Sequence, residues 1–314
     1  MSRSDGQTRT DPVRATPNPT ETPCLPSTDP TRSLPVTVWR LGSGDALATT
    51  RKVAEELPVA FTYNRATHAV MLATPADLED FAVGFSLSEG VIRDPSDIEA
   101  LEVVPLPAGI ELRMDLAEHE LRNLTQRQRR IAGPSGCGLC GMDSLLEAIR
   151  PVPTVASDLT LSPAAIAAAL DTLWPAQVLN RATRAVHAAG FWTPTQGLVA
   201  LREDIGRHNA LDKLAGALAR LGVTRGATGQ DGARLGFTAA DGVLLLSSRV
   251  SVEMAQKAAI LGVPIIVAVS APTALAIRIA EEAGITLIGI ARADGFEVFT
   301  HPHRIQPQPV PHVA

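Results

Sequence analysis

From Asp158 onward, short apolar runs alternate with amphipathic stretches, and this rhythm constrains the fold more than any other feature. Helical spacing marks Ser162–Trp174, Asp204–Leu221, Val252–Leu261 and Thr273–Ala283 as predicted helices. Between them, the apolar runs Gly197–Arg202, Val243–Leu246, Pro264–Val269 and Ile285–Ile290 are predicted strands, and Phe296–Phe299 is another. Short apolar strands separated by helices predict βα units and a parallel or mostly parallel sheet.

The first half reads differently. Pro35–Leu41 is a predicted strand, and Pro58–Tyr63 with Thr67–Ala73 predicts a hairpin turning at Asn64-Arg65. A helix start follows, with Thr74 as N-cap, Pro75 in the first turn and Asp77 three residues after the cap. Leu78, Phe81, Ala82 and Phe85 keep helical spacing, and Gly90 ends the run. Strands are predicted near Ala100–Val104 and Ile110–Met114, and a charged helical stretch over Leu116–Arg130, with Arg127, Arg129 and Arg130 as a basic cluster. The expected organisation is a small α+β domain over 34–155 and an α/β domain over 156–305. Residues 1–33 and 306–314 are proline-broken and poor in large apolar side chains, so they are expected to be disordered tails.

Composition excludes several classes. Lys and Arg number 28 against 33 Asp and Glu, which does not make a nucleic-acid surface. The three cysteines, Cys24, Cys137 and Cys140, are too few for a secreted disulfide framework. The N-terminus lacks the apolar core of a signal peptide, and no stretch has the length and apolarity of a membrane span. The expectation is a cytoplasmic protein whose thiols stay reduced, with no membrane or nucleic-acid partner.

Cys137 and Cys140 lie in Gly133-Pro134-Ser135-Gly136-Cys137-Gly138-Leu139-Cys140-Gly141, whose glycines and proline predict a loop. Two thiols at that spacing can bind metal, exchange disulfides or carry sulfur.

In an open α/β sheet, ligands bind beyond the carboxyl ends of the strands. The residues following the predicted strands are Ser247, Ser248, Arg249 and Ser251; then Ser270, Pro272 and Thr273; then Arg292, Asp294 and Gly295; and Arg202, Glu203 and Asp204, leading into Arg207, His208 and Asn209. Hydroxyls beside helix N-termini, with Arg249 and Arg292 as forked donors, suit a phosphorylated or nucleotide-like ligand. On the predicted helix Asp204–Leu221, the residues Asp204, His208 and Asp212 share a face at i, i+4 and i+8. His187 is isolated in an apolar run, where a core histidine is the ordinary reading.

These segments together resemble the FdhD family of formate dehydrogenase accessory sulfurtransferases. The resemblance rests on Gly136-Cys137-Gly138-Leu139-Cys140-Gly141, Arg202-Glu203-Asp204-Ile205-Gly206-Arg207-His208-Asn209 through Lys213, Ser247-Ser248-Arg249-Val250-Ser251, Ser270-Ala271-Pro272-Thr273 and Thr300-His301-Pro302-His303-Arg304-Ile305. It covers about residues 35–305. It implies a homodimer with a larger domain of cytidine-deaminase-like fold, a mixed sheet with flanking helices, beside a smaller N-terminal domain. It also implies a sulfur relay from a cysteine desulfurase to the bis-molybdopterin guanine dinucleotide form of the molybdenum cofactor, the bound substrate, for a formate dehydrogenase catalytic subunit. By that resemblance Cys137 carries the persulfide and Cys140 assists. The cofactor lies near Ile290, Ala291, Arg292, Ala293, Asp294 and Gly295, with Ser247, Arg249, Ser270, His187, Arg207 and His208 as further binding residues and GDP as a mimic.

No metal is expected. A zinc deaminase places its histidine before the Cys-x-x-Cys pair, in His-x-Glu, whereas here His187 follows the pair and Ala189 stands in the glutamate position. A dithiol oxidoreductase opens a helix with its pair, which this Gly-Pro loop does not. The alternatives are a zinc-binding deaminase-like enzyme, a dithiol oxidoreductase and a cofactor-binding chaperone without sulfur chemistry.

Overall fold

The computed structural model describes residues 27–117, 151–223 and 237–306. Its larger sheet has six strands: β7 (His187–Thr193), β8 (Gly197–Asp204), β9 (Val243–Leu246), β10 (Ile265–Ala268), β11 (Thr286–Arg292) and β12 (Gly295–Val298). Their order is β12-β11-β10-β9-β7-β8. β9, β10 and β11 are parallel neighbours, β7 is antiparallel to both β8 and β9, and β12 is antiparallel to β11. The sheet is therefore mixed, not mostly parallel as the βα rhythm alone predicts. The difference arises at β7, which turns straight into β8; a tight antiparallel return needs no crossover helix and leaves no rhythmic signal.

Side-chain alternation sorts the layers. Leu244 and Leu246 of β9 face a core with Leu211, Leu214, Met254 and Ile279, which belong to α4 (Arg207–Arg220), α5 (Val252–Leu261) and α6 (Ala274–Glu282). Val243 and Leu245 face the other core with Ile166, Ala169 and Leu173 of α2 (Pro163–Ala176). β9 and β10 are buried throughout, as central strands covered on both faces must be.

The second sheet, β4-β3-β6-β5, comprises β3 (Leu57–Tyr63), β4 (Ala66–Ala73), β5 (Ile98–Leu106) and β6 (Gly109–Leu116). The hairpin between β3 and β4 turns at Asn64 and Arg65, with φ of 46° and 71°. Two positive φ values in succession match the twist of a two-residue hairpin. Helix α1 (Leu78–Ser88) packs on this sheet through Phe81 and Phe85, and the Phe61 ring stacks on Phe85 at 4.0 Å. The helix does not start at a Thr74 cap. Its cap residue is Asp77, at φ 52°, and its side chain makes no capping bond. Thr74 is drawn instead into bonds with the other half of the chain.

A two-stranded ribbon, β1 (Thr31–Trp39) with β2 (Ala46–Ala54), precedes this sheet. β1 begins inside the segment expected to be a tail. β2 is unannounced because Ala48-Thr49-Thr50-Arg51-Lys52 has no apolar alternation. Leu34, Val38, Trp39, Leu41 and Leu47 of the ribbon are exposed.

The two sheets are joined through α1 and α4. At their crossing a Cβ on Gly84 would lie 1.7 Å from the Asp212 carbonyl oxygen, and one on Gly216 would lie 1.9 Å from that of Asp80. Only the absence of both side chains lets the backbones approach this closely. Asp80 also takes Arg202 and Arg220 at 2.7 Å each. Among the described residues, no helix is long and apolar enough to cross a membrane.

Candidate functional site at the carboxyl edge of the sheet

β8, β9, β10 and β11 run in one direction, so their carboxyl ends and the start of the reversed β7 share one edge. In spatial order that edge carries Ile290 to Arg292, Ser270, Ser247 to Arg249, His187, and the turn from Asp204 to His208. Four interstrand steps of about 4.8 Å make the row roughly 19 Å long, room for an elongated ligand. The topology thus gathers all the strand-end segments that the sequence singles out.

Each segment has its own geometry. β11 does not end at Ile290, as expected; it runs through Arg292 and turns over Ala293-Asp294 into Gly295 of β12. Ile290 sits at φ 52°, and the β11–β12 register breaks between Gly289 and Arg292. A β-branched residue at positive φ costs of order 1–3 kcal/mol, and such strain concentrates at ligand sites. Ile290 N–H donates to Ser270 O at 3.3 Å, tying the kink to the neighbouring turn. Thr273 caps α6 through Ala276 N–H at 3.3 Å, an ordinary helix-start role. Arg249 and Arg292 are exposed.

At the centre, Ser247 N–H donates to Ala188 O at 3.0 Å and Ala188 N–H donates to Ser247 Oγ at 2.8 Å. Ser247 therefore extends the β7–β9 pairing and fixes His187 one residue away. Ser251 stands at the α5 cap position but makes no capping bond; its Oγ lies 3.1 Å from His208 Nε2, which also reaches Glu253 Oε2 at 2.7 Å.

Asp204 is the last residue of β8, and α4 starts at Arg207 with Gly206 as its cap. The expected helical face of Asp204, His208 and Asp212 is therefore not formed. Asp204 turns inward, fully buried, and its carboxylate takes four donors: Gly206 N–H at 2.8 Å, Asn209 Nδ2 at 2.9 Å, Thr74 N–H at 3.0 Å and Lys213 Nζ at 2.6 Å. Lys213 Nζ also donates to Thr74 O at 2.8 Å, and Ile205 N–H donates to Thr74 Oγ1 at 3.2 Å. Glu203 faces the other way and receives Leu179 N–H and Asn180 N–H at 2.8 and 2.7 Å, capping the short helix α3 (Val178–Thr183).

The electrostatics favour an anion. Burial pushes the His187 imidazole below its usual range, and Arg207 and Arg249 push it the same way. Burial also pushes His208 down, against the pull of Glu253, with Arg207 and Lys257 adding to the depression. His187 thus sits beside two arginines whose charge an incoming phosphate would balance, while His208 stands between Arg207 and Lys257 on one side and Glu253 on the other. Arg207 Nε is buried and finds no hydrogen-bond partner among the described residues. A buried donor without an acceptor costs about 1–3 kcal/mol, which a bound oxyanion would recover.

Sequence reasoning missed two things. Thr74 reads as a helix cap, and its tertiary role has no local signal. Lys257 stands in the apolar α5 run Met254-Ala255-Gln256-Lys257-Ala258-Ala259, where a buried charge was the available clue. It pairs with Asp212 at 2.7 Å and reaches Glu89 at 3.1 Å and Ser88 Oγ at 3.0 Å. A separate concavity of about 1160 Å³, lined by Leu87, Ile92, Leu211, Leu218 and Leu261, lies over this pair and shares no residue with the edge row. Its acidic and basic floor is already paired, so the row is the better ligand site.

Cys137, Cys140 and the cluster Arg127, Arg129 and Arg130 lie outside the described residues. Among the described residues, no three His, Cys, Asp or Glu side chains come together as a metal site.

The profile of the FdhD/NarQ family matches residues 54–306, a span that contains both the edge row and the Cys-x-x-Cys pair. The chain belongs to this family. It is 52% identical over 256 residues to the sulfur carrier protein FdhD of Agrobacterium fabrum, covering 81% of this chain and 89% of that protein. It is 46% identical over 272 residues to the sulfur carrier protein FdhD of Cupriavidus necator, covering 86% and 88%. Its fold matches the crystal structure of a Desulfotalea psychrophila protein described as a formate dehydrogenase accessory protein, with a TM-score of 0.66 at 24% identity, covering 88% of this chain and 99% of that one.

Proposed function

We propose that this protein is a sulfur carrier for formate dehydrogenase, holding the guanine dinucleotide form of the molybdenum cofactor along the carboxyl edge while Cys137 delivers sulfur to it. The observation that carries the ligand half is the edge row itself: Arg207 Nε buried with no partner among the described residues, His187 beside Arg207 and Arg249, and a strained Ile290. The sulfur half rests on the Cys137 and Cys140 pair and on relatives that are sulfur carriers.

The chemistry balances with the residues named. The Cys137 thiolate attacks the outer sulfur of a cysteine desulfurase persulfide, forming Cys137–S–SH and freeing the desulfurase thiolate. The Cys140 thiolate then attacks the inner sulfur, forming the Cys137–Cys140 disulfide and releasing hydrosulfide, HS⁻, to the cofactor. The two electrons that reduce sulfane sulfur to sulfide come from the thiol pair, and a dithiol reductant resets it. Arg207 and Arg249 would hold phosphate oxygens, and His187, neutral before binding, can take up a proton beside them. The cycle needs reduced thiols, which suits the cytoplasm, and the working unit is taken to be a homodimer.

The test is mass spectrometry of the whole chain after incubation with cysteine and a desulfurase. One added sulfur atom on wild type, absent from Cys137→Ala, supports the relay. If neither cysteine gains sulfur, the relay is wrong. If Cys137→Ala still supports formate dehydrogenase fully, the protein is a cofactor-binding chaperone instead.

A further inference from the structure

We propose that Asp204, Lys213 and the Thr74 hydroxyl act as one positioning knot: they lock the start of α4 to the β4–α1 junction so that Arg207 and His208 are held ready for the anion. This rests on the nucleotide reading above and assigns residues that do not touch the ligand.

The geometry is specific. Both side chains are 0% exposed. The Asp204 carboxylate takes three donors from its own turn and helix, Gly206 N–H, Asn209 Nδ2 and Lys213 Nζ, and one from the other half of the protein, Thr74 N–H. Lys213 Nζ returns to Thr74 O, and Asn209 Nδ2 also reaches Leu72 O at 2.8 Å. Thr74 and Asp204 are 130 residues apart in sequence. The backbone held by this knot is residues 204–206, and the next two residues carry the site.

Stability alone does not explain such a pair. Removing two charges from water costs energy that their attraction barely returns, and apolar replacements of buried pairs are often neutral or stabilising. What an ion pair adds is a fixed geometry. Here the fixed element is the helix start whose Arg207 Nε lacks an acceptor. Burial pushes the Lys213 ammonium below its usual range, and Asp204, with a smaller effect from Asp77, opposes that shift.

The test compares wild type with Asp204→Asn/Lys213→Met, Thr74→Val and Thr74→Ser, measuring thermal unfolding, GDP binding by calorimetry and His208 titration by NMR. The double variant removes both charges together, and Thr74→Val removes only the oxygen that accepts from Ile205. Expected results are unfolding temperatures near wild type for both, GDP affinity at least fivefold weaker, and a His208 titration moved toward the ordinary imidazole range. Thr74→Ser, which keeps the oxygen, should restore both readouts. Wild-type GDP affinity and an unmoved His208 titration in Thr74→Val would overturn the proposal, even if the double variant fails to fold. If wild type itself does not bind GDP, the nucleotide reading falls, and the His208 titration alone decides the positioning role.

Discussion

Gly84→Ala and Gly216→Ala set two effects of opposite sign against each other. In an isolated helix either change should stabilise by about 1 kcal/mol, because glycine is that much poorer than alanine. In this fold the new methyl would meet a backbone carbonyl at 1.7 or 1.9 Å, whereas ordinary contact begins near 3.4 Å. The helices would have to part by more than an ångström, and a carbonyl cannot rotate aside as a side chain can. That separation would also stretch the Ser88–Asp212 bond at 2.6 Å and the Arg220–Asp80 pair at 2.7 Å. Overpacking of this kind exceeds the helix gain, for a net loss of about 2–4 kcal/mol. For a domain of this size that lowers the unfolding temperature by roughly 4–16 °C. Urea midpoints at unchanged slope measure it, with Ala219→Gly on the outer side of α4 giving the propensity scale. If either glycine variant is neutral or stabilised by the propensity amount, the close crossing is wrong.

Three further outcomes are expected. Lys257→Met should cost about 3–5 kcal/mol in urea unfolding, because it leaves Asp212 charged and buried, and pairing it with Asp212→Asn should recover much of that loss. Since His187 and His208 titrate below the ordinary value of 6.5, the unfolded chain takes up their protons first as pH falls; their contribution to stability is whole above that value and declines below it through the folded values. GDP binding should in turn take up protons and strengthen from pH 8 to pH 6, seen as a buffer-dependent enthalpy in calorimetry. Arg207→Ala should weaken GDP binding by about 1.5–3 kcal/mol, the range for a charge-assisted bond, and exposed Arg292→Ala should weaken it less.

Periodicity was informative wherever burial on two faces wrote a continuous apolar run. β9, β10, α5 and α6 fall within a residue or two of their predicted limits, and the Asn64-Arg65 turn is where two non-glycine residues take positive φ. The rule that ligands gather at strand ends led to the same edge that the topology builds. What escaped was long-range in origin. Asp204 looks like a helical residue by spacing, yet its partner Thr74 lies in another module, so no local window can show that it ends a strand. Strand β7 hid because its hairpin lacks a helix to mark it, and β2 because an exposed ribbon needs no alternating pattern. Ile290 carries its strain in a backbone angle that composition does not record.

Helix α1 is seized at both termini by a buried ammonium: Lys213 holds the Thr74 carbonyl at one end, and Lys257 holds Ser88 and Glu89 at the other. Such double bolting leaves the small sheet no axis about which to swing over the large one. On the proposed function, the cargo would meet a cradle held in one arrangement, and bringing donor and acceptor together would fall to those partners rather than to a clamshell motion of this protein. Solution scattering should accordingly show the same radius of gyration with and without GDP.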